Sequence, residues 1–219
     1  FEKEKVVDVV YEDKKIGKLV LEVEAVQEIT VITNNKFYEQ FAAWQKASTF
    51  QKPMSIINDL TLNNADRLGA IGDIDFAIKQ RKINDALLII AGDNLFTFSL
   101  VDFIRFFHEK NASTLAVFDT HDKKKIAGLL GCVELDQQHK IIGFEEKPEH
   151  PKTTFAATFC YAFTKEDLKI LDQCLREKQK LDNGGDFIRY LTQRKPVYGF
   201  TFSGKWYDIG SKEQYELVK

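Results

Sequence analysis

Two hydrophobic rhythms alternate along this chain. Short β-branched runs read as buried strands. Between them lie longer stretches in which apolar residues return every three or four positions, the pattern of an amphipathic helix. Glu28–Thr33 (EITVIT) is such a strand and stops at Asn34-Asn35. Phe37–Lys46 follows, with Phe37, Phe41 and Trp44 at helical spacing. Ser55–Ile57 is a short strand, and Leu68–Ile78 a helix entered through Gly69 and Gly72. Asp85–Ile90 (DALLII) is a buried strand that runs out into Ala91-Gly92-Asp93-Asn94. Leu100–Lys110 predicts an amphipathic helix and Ser113–Phe118 another strand. Strands separated by helices build βαβ units, so a mostly parallel sheet with right-handed crossovers is expected.

The second half changes character. Leu129–Leu135 and Lys140–Glu145 flank the polar turn Asp136-Gln137-Gln138-His139, a hairpin signal. Ala157–Phe163 and Val197–Phe202 read as strands, Lys165–Lys178 as a helix with Leu168, Leu171 and Leu175 on one face, and Phe187–Leu191 as a short helix. Ser211 is placed to cap a terminal helix, Ser211–Val218. There are no repeats and no linker rich in Gly, Ser or Pro. The expected architecture is α/β: a Rossmann-like mixed, mostly parallel sheet flanked by helices, with a small antiparallel lobe, in one domain.

Composition narrows the function classes. Of 219 residues, 44% are hydrophobic and 29% charged, enough apolar material for a real core. A net charge of −2 supplies no global basic field, so sequence-independent nucleic-acid binding is not expected. No apolar run approaches the ~20 residues that span a bilayer. Cys132, Cys160 and Cys174 are scattered and read as small buried hydrophobes in a reducing compartment, which suggests the cytoplasm. The four histidines are equally scattered, which argues against zinc. Phe106 and Phe107 could serve a homo-oligomer interface, although helix packing explains them as well.

Ligands of open α/β sheets bind beyond the carboxyl ends of the strands. That rule marks Asn34-Asn35 and Gly92-Asp93-Asn94. A carboxylate leaving a buried strand beside glycine is exposed yet rigidly held, which suits Mg²⁺, an ion that takes one or two carboxylates plus phosphate oxygens. Asp93 reads equally as a turn or helix cap. Glu146-Lys147, before Pro148, sets an acid and a base side by side. The acid could take hydroxyl protons and the lysine a phosphate, though charges at strand ends are usually only solvated. Asp208, in Trp206-Tyr207-Asp208-Ile209-Gly210, needs a cation or donors nearby if buried; otherwise it caps the last helix.

Five segments then occur in a familiar order: Leu68-Gly69-Ala70-Ile71-Gly72, Ala91-Gly92-Asp93-Asn94, Gly131, Phe144-Glu145-Glu146-Lys147-Pro148, and Trp206-Tyr207-Asp208-Ile209-Gly210. Together they resemble the sugar-1-phosphate nucleotidyltransferases, typified by glucose-1-phosphate thymidylyltransferase. The resemblance implies a Rossmann-like domain that joins a nucleoside triphosphate to a sugar 1-phosphate on Mg²⁺. It implies that Asp93 and Asp208 are metal ligands, that Glu146 accepts sugar hydroxyls and that Lys147 holds the sugar phosphate. Gly131 resembles a glycine whose main chain approaches the sugar, and Gly69 one that lets the nucleobase approach. Two departures stand out. The family's opening strand and its GGxGTRLxPxT loop are not found, so the expected organisation is one nucleotidyltransferase-like domain over 1–219 lacking those parts. On a loose alignment Lys5 takes the place of the family's catalytic lysine. Phe159-Cys160 stands where many relatives have a glycine near the sugar, which puts the usual hexose in doubt.

The implied reaction is in-line attack of the sugar phosphate on the α-phosphorus, with pyrophosphate leaving. Alternatives are a cytidylyltransferase acting on a phosphorylated alcohol such as phosphocholine, a non-catalytic relative that binds nucleotide sugars, and, more distantly, a glycosyltransferase.

Overall fold

The computed structural model describes residues 4–8, 23–63, 65–177, 184–210 and 216, the first of these segments by its main chain only. In chain order the elements are β1 (Glu4–Asp8), β2 (Val26–Thr33), α1 (Tyr38–Ala47), β3 (Met54–Asn58), α2 (Gly69–Arg81), β4 (Leu87–Ile90), β5 (Asn94–Phe96), α3 (Leu100–Lys110) and β6 (Thr114–Asp119). A 3₁₀ turn, Lys123–Lys125, leads to β7 (Cys132–Leu135), β8 (Ile141–Glu145), β9 (Phe155–Phe163), α4 (Lys165–Glu177), α5 (Gly184–Thr192), β10 (Tyr198–Phe202) and β11 (Trp206–Asp208). The proposed helix Ser211–Val218 lies outside the described residues, apart from Glu216.

The main sheet runs β10-β6-β9-β4-β1-β2-β3. Strands β3, β2, β1 and β4 are parallel neighbours, and β10 is parallel to β6. Strand β9 runs antiparallel between β4 and β6. The β7–β8 hairpin hangs off β9 as the antiparallel lobe. The mixed, mostly parallel α/β sheet expected from the periodicity is therefore present.

Strand β4 is a continuous apolar run because both faces of the sheet are covered. Leu87 and Ile89 join one core, with Ile71 and Ile74 of α2, Leu168 and Leu171 of α4, and Phe187 and Ile188 of α5. Leu88 and Ile90 point the other way and pack with Phe103, Ile104 and Phe107 of α3. That helix has the span expected: the Ser99 side chain accepts from the Asp102 N–H at 3.1 Å, and Asn111 closes it in a left-handed conformation. Asp167 of α4 is buried and bonded to Ser113 and Lys195, which ties α4 to the N-terminal end of the parallel β6–β10 pair. All three cysteines are buried. Among the described residues no helix is long and apolar enough to cross a membrane.

Two features went unpredicted. Lys5 sits inside β1, in the middle of the sheet, opposite Glu28 of β2 and Leu87 of β4, where the sequence reading has it follow a loop. Strands β5 and β11 pair as a separate antiparallel ribbon. At three residues each, they are too short to show a period.

Candidate active site

Strand β4 delivers its successor residues to the carboxyl edge of the sheet. Ala91 turns off the strand, its N–H held by the Phe159 carbonyl at 3.1 Å, and Asp93 follows at the mouth of a cleft. The β5–β11 ribbon brings Asp208 to the same place. Asp208 lies opposite Asn94, and the Ile209 N–H donates to the Asp93 carbonyl at 2.8 Å. The two acids, distant in sequence, therefore converge. Both open onto the cleft, yet its walls withdraw enough water to push each carboxyl above its ordinary range; for Asp93 the nearby Asp208 charge adds to the shift. Asn94, buried beneath them, donates to Asp93 Oδ1 at 3.1 Å and accepts from the Trp206 indole.

The second wall is built by the hairpin. Glu146 and Lys147 leave β8 together, and Lys147 takes a left-handed φ of 46° that swings it out of strand geometry. Its charge acts on both Glu146 and Asp208, so it sits electrically between the two acidic groups. Burial raises the Glu146 carboxyl; Lys147 counters that, Asp186 adds to it, and Arg189 counters it further. Arg189 is paired with Asp186 at 3.0 Å.

Gly131 and Gly185 leave room for Glu146. A β-carbon on Gly185 would come within 2.0 Å of Glu146 Oε2, and one on Gly131 within 2.8 Å of the Phe144 ring and 3.5 Å of the same carboxylate oxygen. Gly69 opens α2 at φ 76°, and its neighbour Ala70 reaches the cleft.

Asp93, Asp208, Glu146, Lys147 and Gly131 thus line one cavity, which Ala70, the neighbour of Gly69, also lines. Lys5 is placed only by its main chain, and its side chain lies outside the described residues. Cys160 is fully buried on the opposite face of β9, while Phe159 lines the cavity. The sequence reading missed Gly184-Gly185 as wall residues, and gave no separate role to Asn94 and Trp206, which stand in its motifs. For the glycines, the pair ahead of a short apolar helix was the available signal.

The pair Asp93–Asp208 fits a hard divalent cation. Two carboxylates that repel each other in a partly desolvated cleft want a shared positive charge, and Mg²⁺ needs no more than two from the protein. Among the described residues no cluster of three or more ligand side chains forms. Mg²⁺ could be held here by Asp93 and Asp208, with the charge of Lys147 close by.

A family model described as Nucleotidyl transferase matches residues 8–218. Among solved structures, UDP-glucose pyrophosphorylase complexed with UDP-glucose superposes with a TM-score of 0.72 at 17% identity, covering 98% of this chain and 96% of that one. A Bacillus anthracis structure titled as a glucose-1-phosphate thymidylyltransferase in complex with a sucrose gives 0.74 at 16% identity, covering 100% and 94%. At such identities the superpositions establish a shared fold.

Proposed function

The chain belongs to the nucleotidyl transferase family, and on that premise we propose that it transfers a nucleotidyl group from a nucleoside triphosphate to a sugar 1-phosphate. The observation that carries this reading is the convergence of Asp93 and Asp208 at the open edge of the sheet, with Lys147 acting on both Asp208 and Glu146.

The chemistry follows from charge. Acceptor and triphosphate are both anionic, so the site must supply cations and alignment more than a base. A phosphate monoester is already a nucleophile at neutral pH. An acceptor phosphate oxygen forms a bond to the α-phosphorus, the bond from α-phosphorus to the α–β bridging oxygen breaks, and pyrophosphate leaves with that electron pair. Asp93 and Asp208 would hold Mg²⁺. When bound, the ion supplies positive charge to phosphate oxygens that would otherwise repel one another. Lys147 holds the acceptor phosphate. Glu146, raised by burial but kept near Lys147, accepts an acceptor hydroxyl. Gly131 and Gly185 leave the room in which the Glu146 carboxylate sits to do so.

A pyrophosphate-release assay tests the reading. Each nucleoside triphosphate is paired with a panel of sugar 1-phosphates and with phosphocholine, with and without Mg²⁺. Release that needs a sugar 1-phosphate and Mg²⁺ together is the expected result. Release with phosphocholine alone, or hydrolysis of an added nucleotide sugar without any forward reaction, would overturn it.

A further inference from the structure

Strand β9 presents Ala157, Phe159 and Tyr161 to the cleft. Phe159 differs from its neighbours in two ways. Its φ is 54°, in the left-handed region that a side chain bearing a β-carbon seldom adopts and glycine adopts freely. It also lies where the register of β9 against β6 slips, between the partners Tyr161 and Ala157. The slip and the left-handed turn together aim the ring into the cavity, where it remains only partly buried.

The surroundings are fitted to that ring. It packs on Tyr161 with centroids 4.8 Å apart. Opposite it stands Gly184, where a β-carbon would come within 2.4 Å of Phe159 Cε2 and 3.1 Å of Tyr161 Cε2. The facing wall is therefore cut back to main chain to admit an aromatic side chain. Strain kept at one residue, with space cleared for it across the cleft, points to a role in the site rather than in the core.

The polar groups around the ring are few. Thr158 is committed to the Ala116 carbonyl at 3.0 Å, and Asn94 to Asp93 and Trp206. The charged side chains that line the cavity are Asp93, Asp208, Glu146 and Lys147.

We propose that Phe159 is the specificity-determining residue of the acceptor subsite. Its ring fills the inner end and restricts the acceptor to sugar phosphates smaller than a hexopyranose, of the pentose class. The proposal rests on the nucleotidyl-transfer reading for what the subsite binds, and adds the size limit. Lys147 takes the phosphate, Glu146 a hydroxyl, and the ring closes the space that the outer carbon of a hexose would need. A hydrophobic wall discriminates one carbon by roughly ten- to a hundredfold.

The test compares wild type with Phe159→Gly, which opens the space and suits the left-handed φ, and with Phe159→Leu, which keeps bulk and guards against a folding artefact. Ribose 1-phosphate, glucose 1-phosphate and N-acetylglucosamine 1-phosphate are the probes. kcat/KM is read by pyrophosphate release, and Kd by tryptophan quenching in a Trp44→Phe background, which leaves Trp206 in the cavity lining as the reporter. Wild type and Phe159→Leu should favour the pentose phosphate by about tenfold or more, and Phe159→Gly should reverse the order. A wild type that prefers the hexose phosphate, or a Phe159→Gly variant with unchanged ratios, would overturn the proposal. Absence of turnover with every probe would instead sink the nucleotidyl-transfer reading, and the order of Kd values still decides the role of Phe159.

Discussion

The indole N–H of Trp206 donates to the side-chain oxygen of Asn94, across the short ribbon that carries Asp93 on one arm and Asp208 on the other. Asn94 in turn donates to Asp93. One buried amide thus links the position of the first acid to the strand that holds the second. Trp206→Phe keeps the ring and removes the bond. We expect kcat to fall about tenfold, the price of a misplacement of some tenths of an ångström between the two carboxylates, with a melting temperature within a few degrees of wild type. Unchanged kcat would show that the ribbon alone sets the geometry.

Asp93→Asn and Asp208→Asn should each lower turnover at least a hundredfold, because a neutral amide is a poor ligand for a hard cation and the other acid cannot hold it alone. The fold should not suffer. Each change relieves repulsion between two carboxylates that share a partly desolvated cleft, so the metal-free melting temperature should hold or rise, as is common where a site is built at the expense of stability. Millimolar Mg²⁺ should raise the melting temperature of wild type and leave both variants unmoved. An equal Mg²⁺ response in all three proteins would dissociate the ion from this pair.

Lys147→Ala should raise KM for the sugar phosphate by about ten- to a hundredfold and change kcat less, the pattern of a contact made in the ground state and kept through reaction. The left-handed φ at this residue makes Lys147→Gly a useful second variant, since it relieves the backbone and still removes the ammonium. Both should show the same rise. Lower kcat at unchanged KM in both would assign the lysine to the departing pyrophosphate.

How much of this was legible beforehand depended on how far each feature extends along the chain. Strand β4 and helix α3 were readable because burial on two faces and on one face leave different periods over several residues. Asp93, Glu146-Lys147 and Asp208 were readable because each stands in a short motif and the motifs occur in order. Their convergence was implied only by the family resemblance, since no local pattern carries it. It is made by the β5–β11 ribbon, whose strands are too short to carry a pattern and whose pairing joins distant segments. Gly184-Gly185 carried no reading in the sequence; its importance lies in Glu146, Phe144 and Phe159 on the opposite wall. The bulk at Phe159 was visible, but not its left-handed backbone, which only the register slip in β9 explains. Lys5, placed by alignment alone, lies in a central strand.

Asp73, about one turn along α2 from Gly69, shows what sequence periodicity hides. Its carboxyl is pushed up to about 7 by burial first, then by the charge of Asp59 and a hydrogen bond between the two acids. One of its oxygens, Oδ1, is buried without a partner, while Asp59 already accepts from the Thr61 N–H and hydroxyl. Since the folded value lies above the ordinary 3.8, the protonated form is the one the fold prefers. Below pH about 4 the contribution is fully present, because both folded and unfolded chains carry the proton. Between about 4 and about 7 the unfolded chain gives up the proton and the folded one keeps it, so stability is lost as pH rises; above that the penalty is constant. Asp73→Asn is neutral throughout and can donate to Asp59. After allowance for solvent screening at a half-buried site, it should stabilise the protein by roughly 1–2 kcal/mol at pH 8, about 2–8 °C in melting temperature. At pH 4 the advantage should vanish. Melting curves of both proteins across this range check it, and an offset between them that does not vary with pH would show that the two acids do not share a proton.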